Sequence, residues 1–261
     1  MIFVGKKNST SFFLLISLIL GLALYTALFS SCVYEDLSKC SRMFMLQPRY
    51  LLHTGEGDRF GEAVHHIDVY AFDSLGIYRK MFRDKGAHLK NGYRMPIDLP
   101  EGKWTFLCLG GKVGDYEIGI FKTGIPQQFS PAVSPGITTL SDFRVKAYFE
   151  QKENLEYSLG ELFFGRLDSV EITADNGGTG VVDLMKNTNK IEVRVKGIAD
   201  GSSARITSDN GRFNSENVTP ADAGTIIYVP YYSASQADDT RVFQFDVLRL
   251  YTDGHLFLKL L

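Results

Sequence analysis

The chain has 261 residues, 44% of them hydrophobic, with 28 Lys+Arg against 30 Asp+Glu and a formal net charge of -2. That balance offers no basic patch for nucleic acid. The length suits one large or two ordinary domains with a real apolar core, so size alone does not demand disulfides.

Lys6 and Lys7 precede an uncharged apolar run from Phe12 to Phe29, the layout of a signal peptide over residues 1–31. The run is also long enough for a retained membrane helix, which needs roughly 20 apolar residues. Leu28-Phe29-Ser30-Ser31-Cys32 favours cleavage, because two small residues before a cysteine resemble the lipobox of bacterial lipoproteins, whereas a spanning helix gives no reason for them. Phe29 stands where an aliphatic residue is usual. Cys32 is therefore the expected lipidation site. Without the leader's two lysines, 26 Lys+Arg face 30 Asp+Glu. Residues 32–41 are polar and read as an extended spacer. Cys40 and Cys108 are the remaining cysteines; in an oxidising compartment they could bridge, or equally stay as buried thiols. No Cys or His lies two to four residues from either, so a zinc knuckle is excluded.

Beyond the spacer the pattern is β almost throughout. Ile67, Val69 and Ala71 alternate with Asp68, Tyr70 and Phe72, a strand's period of two. Asp73-Ser74-Leu75-Gly76 then supplies hairpin-turn chemistry before Ile77 and Tyr78. Pro100-Glu101-Gly102 is a second hairpin signal, and Trp104 to Leu109 after it is apolar on both faces, as a central strand would be. Further strands are expected at Val170–Thr173, Lys190–Val195, Thr225–Val229 and Val242–Leu250. Helices are expected only at Ser141–Phe149 and around Leu155–Leu162, neither with strong caps. Turns at short intervals favour a sandwich or barrel over βαβ units. The richest, Asp175-Asn176-Gly177-Gly178, marks a boundary near residue 180 between an N-terminal sandwich (42–180) and a C-terminal one (181–261). After Thr252-Asp253-Gly254 the chain runs back as an apolar strand, Leu256–Leu261. Such an edge is an aggregation hazard unless covered, so either more chain once followed or another chain covers it, and the second domain is expected to be incomplete.

Chemistry-bearing motifs are few. His65 and His66 point to opposite strand faces and cannot chelate one metal together. His66 and Asp68 share a face, but two ligands make no site. His53, His88 and His255 are scattered, and nothing marks a nucleophile, so neither catalysis nor a metal or cofactor is expected. Asp209-Asn210-Gly211 lacks the other ligands of a calcium loop and reads as a tight turn with Gly or Asn at positive φ. Gly110-Gly111 lacks the phosphate-loop lysine pattern and reads as a close backbone approach or bulge. Tyr228, Pro230, Tyr231 and Tyr232 could stack on a sugar, though a cluster at the edge of a core is the commoner arrangement.

Several segments together resemble the Bacteroidales fimbrial anchor and minor-subunit lipoproteins of type V pili, the FimB-like or Mfa-like family. They are Cys32 to Cys40, His66-Ile67-Asp68-Val69-Tyr70-Ala71-Phe72-Asp73, Leu99 to Phe106, Phe164-Gly165-Arg166-Leu167, Val182 to Ile191 and Asp209 to Asn214. The resemblance implies tandem transthyretin-like β-sandwiches, a lipid tether in the outer membrane through acylated Cys32, exposure at the cell surface, and fimbrial shaft or accessory subunits as partners. It also implies assembly by strand exchange, an added strand completing a neighbour's sheet. Glu35 and Asp36 resemble the acidic surface-export signal of lipoproteins from this lineage. Asp73-Ser74-Leu75 and Asp168-Ser169-Val170 look like its O-glycosylation pattern, making Ser74 and Ser169 candidate sites. A glycan-binding surface lipoprotein is the alternative; an enzyme is the third and most remote.

Overall fold

Side chains alternate across each strand, and this one rule sorts most of the chain into two cores. The computed structural model describes residues 43–51, 55, 57–122, 128–147, 154–155, 158–173, 177–236, 238–250 and 254–261. In chain order the first strands are β1 (Phe44–Arg49), β2 (His66–Phe72), β3 (Tyr78–Lys85), β4 (Met95–Ile97), β5 (Gly102–Gly111), β6 (Tyr116–Lys122), β7 (Gln128–Ser130), β8 (Phe143–Ala147) and β9 (Asn154–Leu155). After them come β10 (Leu162–Ile172), β11 (Thr179–Asp183), β12 (Met185–Lys186), β13 (Thr188–Lys196) and β14 (Ala204–Ser208). The last are β15 (Arg212–Asn214), β16 (Ile226–Tyr228), β17 (Tyr232–Ser235), β18 (Thr240–Leu248) and β19 (Leu256–Leu260). Among the described residues the one α-helix is the single turn Phe60–Ala63.

The centre is a five-stranded sheet in the order β12-β10-β5-β2-β3. As the run of apolar residues requires, β5 is its middle strand. Trp104, Phe106 and Cys108 point into one core with Phe44, Leu46, Ile67 and Val69. Leu107 and Leu109 point into the other with Tyr70, Phe72, Phe143 and Phe245. Each such side chain contributes roughly 1.5–3 kcal/mol by leaving water, and a strand covered on both faces collects that gain at every position. The β2–β3 hairpin forms where expected. Asp73 Oδ1 accepts from the backbone N–H of Leu75 (2.9 Å) and Ile77 (3.0 Å), and Gly76 takes the positive φ of 71° that the turn needs.

A second sheet, β11-β1-β4, closes the first core, while β13-β18-β17, β19-β14-β16-β9 and β15-β8-β6-β7 surround the second. All-β architecture is thus as expected, but several local readings differ. Residues 143–147 form β8, not a helix: Phe143, Val145 and Ala147 are buried and alternate with Arg144 and Lys146. Among the described residues no helix forms around Leu155–Leu162 either: β9 ends at Leu155, 158–161 are irregular and β10 starts at Leu162. Pro100-Glu101-Gly102 is a crossover and not a hairpin, because β4 pairs with β1 while β5 pairs with β2 and β10. Likewise β19 does not return along β18 but pairs with β14.

The boundary expected near residue 180 falls inside β11, which runs parallel to β1 with Gly180 opposite Leu46. Strand pairing crosses it elsewhere too, since β15 pairs with β8 and β16 with β9. Accordingly the first core draws on residues 44–184 and the second on residues 70–248, and Arg42–Leu261 makes one compact unit. The close approach expected at Gly110-Gly111 is present: Gly111 has φ 91°, and a Cβ there would lie 2.2 Å from the Glu161 carbonyl oxygen.

Candidate docking site

The most unusual surface is built by β19. Its position follows from residues at both of its ends. Just past β14, Asp209 accepts a hydrogen bond from the His255 backbone N–H at 3.1 Å and meets the His255 ring at 3.0 Å. The His255 hydrogen bond holds the Asp209 carboxyl below the usual carboxylate range. At the far end Ser203 and Leu261 exchange backbone bonds of 2.9 and 2.8 Å. Between these clamps β19 pairs antiparallel with β14, setting Leu256, Leu258 and Leu260 opposite Ser208, Ile206 and Ala204.

Opposite residues of an antiparallel pair project to the same face. Ser208, Ile206 and Ala204 are buried, so the three leucines face the core side of their sheet, yet they remain 38%, 45% and 42% exposed. On the other face Phe257 is 65% exposed and stacks on His255. No described strand lies beyond β19, so its outer N–H and C=O groups form an open edge. An apolar edge strand open on both faces templates pairing with another strand. Lys259 is its one charge. Of the fourteen large hydrophobic residues exposed among the described residues, ten lie at or beyond Val181.

Beneath this edge sits a buried polar clamp. Asn210 Nδ2 donates to the carbonyls of Leu248 (2.9 Å) and Arg249 (3.2 Å), and its Oδ1 accepts from the Tyr228 hydroxyl at 2.9 Å. The Leu248 N–H completes the set by donating to that hydroxyl at 3.2 Å. Burial drives the Tyr228 phenol well above its ordinary value, with those two bonds opposing. Asp209-Asn210-Gly211 is therefore a tie between strands and not the positive-φ turn expected: none of the three has positive φ. A Cβ on Gly211 would come within 3.0 Å of the Ala223 carbonyl oxygen, so close approach is what the glycine supplies. The tyrosine cluster divides accordingly. Tyr228 is fully buried, Tyr231 reaches Gln244 at 3.3 Å, and only Tyr232 is exposed. Nothing in the sequence singled out the clamp, because Asn-Gly after a strand reads first as a turn.

Cys32, Cys40 and His53 lie outside the described residues. Cys108 is completely buried and has no disulfide partner among the described residues, and burial pushes its thiol pKa up. Ser74 and Ser169 are both exposed, the latter at φ 55° in the bulge of β10 between Leu167 and Val170. His66 does reach Asp68, at 2.8 Å, but Arg83 takes both carboxylate oxygens at 2.6 Å. The fully buried Asp68 is thus neutralised by a guanidinium. His88 pairs with Asp84 at 2.9 Å. No group of three metal-ligating side chains occurs among the described residues, and no described helix is long and apolar enough to cross a membrane.

Several all-β proteins of known structure share this fold. A candidate polysaccharide-binding protein from Bacteroides thetaiotaomicron shares the fold with a TM-score of 0.69 at 22% identity, over 83% of this chain and 75% of that one. A candidate adhesin from Bacteroides ovatus gives 0.67 at 22% over 83% and 73%. The fimbrial anchor protein Mfa2 from Porphyromonas gingivalis gives 0.66 at 20% over 84% and 77%. No curated protein sequence matches. Residues 37–261 match the model of the fimbrillin-A associated anchor proteins Mfa1 and Mfa2, and the chain belongs to that family.

Proposed function

We infer that this chain is an outer-membrane lipoprotein, tethered through acylated Cys32 and exposed at the cell surface, that joins a fimbrium as anchor or minor subunit by accepting an added β-strand at β19. The observation that carries the inference is the row Leu256, Leu258 and Leu260, which faces the core side of its sheet and stays exposed. An incoming strand would satisfy the open edge with main-chain hydrogen bonds and set alternate apolar side chains beside that row. Transthyretin-like descent of the sandwiches, and O-glycosylation at the exposed Ser74 and Ser169, belong to the same proposal. The signal peptide over residues 1–31 supplies the route to the membrane, and two or three acyl chains on Cys32 would hold stably where one binds only marginally.

Two variants of the full chain test this in a fimbriated cell. Leu258→Pro removes a backbone donor from β19 and should abolish co-purification of fimbrial subunits while the protein stays in the membrane. Cys32→Ala should release it from membranes. Undiminished co-purification from Leu258→Pro removes the docking edge, and continued membrane binding of Cys32→Ala removes the tether. Glycan binding through exposed aromatics is the second possibility, and the candidate polysaccharide-binding neighbour favours it. The burial of Tyr228 leaves it only Tyr232 from the cluster.

A further inference from the structure

Asn-Gly occurs at Asn91-Gly92, Asn176-Gly177 and Asn210-Gly211; Asn176 lies outside the described residues, and the other two pairs have opposite surroundings. The dipeptide has a chemistry of its own. The backbone nitrogen that follows an asparagine can attack the side-chain amide, and a glycine there leaves the approach unobstructed and the backbone free to turn. Asn210-Gly211 is shut against this reaction. Asn210 is 3% exposed, both ends of its amide are held in the clamp, and Gly211 is buried against the Ala223 carbonyl. Asn91-Gly92 is open. Both residues are exposed, Gly92 has φ 78°, and a Cβ there would meet nothing within 4 Å. The Tyr93 N–H donates to the Lys90 carbonyl at 2.9 Å across this turn, and an exposed turn opens locally at small cost. Asn91 Oδ1 accepts from the Gly61 N–H at 2.7 Å. A donor on that oxygen stabilises the negative charge it gains when the side-chain carbonyl is attacked.

We propose that Asn91 deamidates in the folded protein through a succinimide with Gly92, and that the isoaspartate product loosens a clasp over the first core. Hydroxide takes the proton of the Gly92 N–H and the nitrogen bonds to Asn91 Cγ. The Cγ–Nδ2 bond then breaks, and Nδ2 takes a proton from water and leaves as ammonia. Water adds to either carbonyl of the five-membered ring and opens it, giving aspartate or isoaspartate. The turn that changes is a fastener. A Cβ on Gly61 would fall 2.8 Å from both the Asn91 backbone nitrogen and the Lys90 Cα, so this turn lies directly on the helical turn Phe60–Ala63. Phe60 and Leu89 are buried in the first core. Tyr93 stacks on Phe60 with ring centroids 6.2 Å apart, and its hydroxyl donates to Asp84 at 2.5 Å. Isoaspartate lengthens the main chain by one methylene between Lys90 and Gly92, so the Lys90–Tyr93 turn no longer closes with its four-residue geometry. Its free carboxylate also sits on a different carbon from the amide that held Gly61.

Ageing the detergent-solubilised full chain at pH 6 and pH 8, folded and in urea, tests this. Peptide mapping by mass spectrometry, with isoaspartate methyltransferase labelling, reads each Asn-Gly pair separately. Asn91 should convert in the folded chain within a few-fold of its rate in urea, and in proportion to hydroxide concentration. Asn210 should convert only in urea. Amide exchange at Gly61 and Tyr93 should be faster in the aged wild type than in the fresh protein. Asn91→Gln, whose longer side chain would have to close a six-membered ring, should show no change on ageing. The comparison of folded Asn91 with folded Asn210 stands within the wild type, whatever the variant's stability. Folded Asn91 protected as strongly as folded Asn210 would overturn the assignment of the site. Isoaspartate at Asn91 with unchanged exchange at Gly61 and Tyr93 would overturn the loosening.

Discussion

Strands β18 and β19 are both rich in large apolar residues, and their surroundings treat them in opposite ways. β18 has β13 on one side and β17 on the other. Phe243, Phe245 and Val247 fill the second core from one face, and on the other Asp246 is buried beneath Ser158, whose hydroxyl reaches it at 2.5 Å. β19 has one neighbour among the described strands, and all five of its residues are exposed. Apolar composition therefore fixes what a strand requires, and its neighbours decide whether the requirement is met. In β18 it is met within the chain; in β19 it is only partly met among the described residues.

Removing a large side chain from each strand gives the widest contrast. Phe245→Ala opens a cavity at a fully buried site and should cost about 3–5 kcal/mol. Leu258→Ala removes a side chain that already meets solvent and should cost below about 1 kcal/mol. It should also reduce self-association, because it interrupts the exposed leucine row. Urea unfolding with light scattering measures both. Equal stability losses would mean that β19 is covered in solution.

A smaller effect is expected from the clamp that ties the end of β18 to the base of the β14–β19 pair. Asn210→Ala leaves the Leu248 and Arg249 carbonyls and the Tyr228 hydroxyl without their buried partner, and an unsatisfied buried group costs about 1–3 kcal/mol. Tyr228→Phe keeps the ring and should cost less. If both variants unfold at the wild-type urea midpoint, the clamp does not hold the two strands together.

The difference between β18 and β19 was only half legible in the sequence. Period-two alternation identified β2 and the two-faced β5, and it marked β18 and the final strand as apolar. It could not show which strands pair, because alternation specifies a face and not a neighbour. Hence β19 was expected beside β18 and β5 beside β4, when both connections cross between sheets. The same pattern was present in Phe143, Val145 and Ala147, where basic residues at the intervening positions allowed a helix to be expected instead. Of the candidate docking site, the apolar edge could be read from Leu256 to Leu261. Its clamps could not, since Asp209 meets His255 and Asn210 meets Tyr228 across gaps of 46 and 18 residues.

The last and smallest expected effect concerns the pin at the start of β19. The Asp209 carboxyl is held below its ordinary pKa by the His255 hydrogen bond first, with burial opposing and the His255 backbone N–H adding to the depression. A carboxylate with a depressed folded pKa stabilises the fold above its unfolded value, near 3.9, and loses that contribution as pH falls through the lower folded value. The pair is largely open to water, so its worth is below about 1 kcal/mol, too little to shift global unfolding clearly. Local opening should report it. Amide exchange of Phe257 and Lys259, whose N–H groups face β14, should be slower in the wild type than in Asp209→Ala at pH 5, and the ratio of the two rates should approach one as the pH drops below the carboxylate range. Amides of Phe243 to Val247 in β18 should show no such dependence. A ratio that stays constant through the acid range would mean that Asp209 positions β19 without its charge, and an equal response in β18 would mean that the two strands open as one unit.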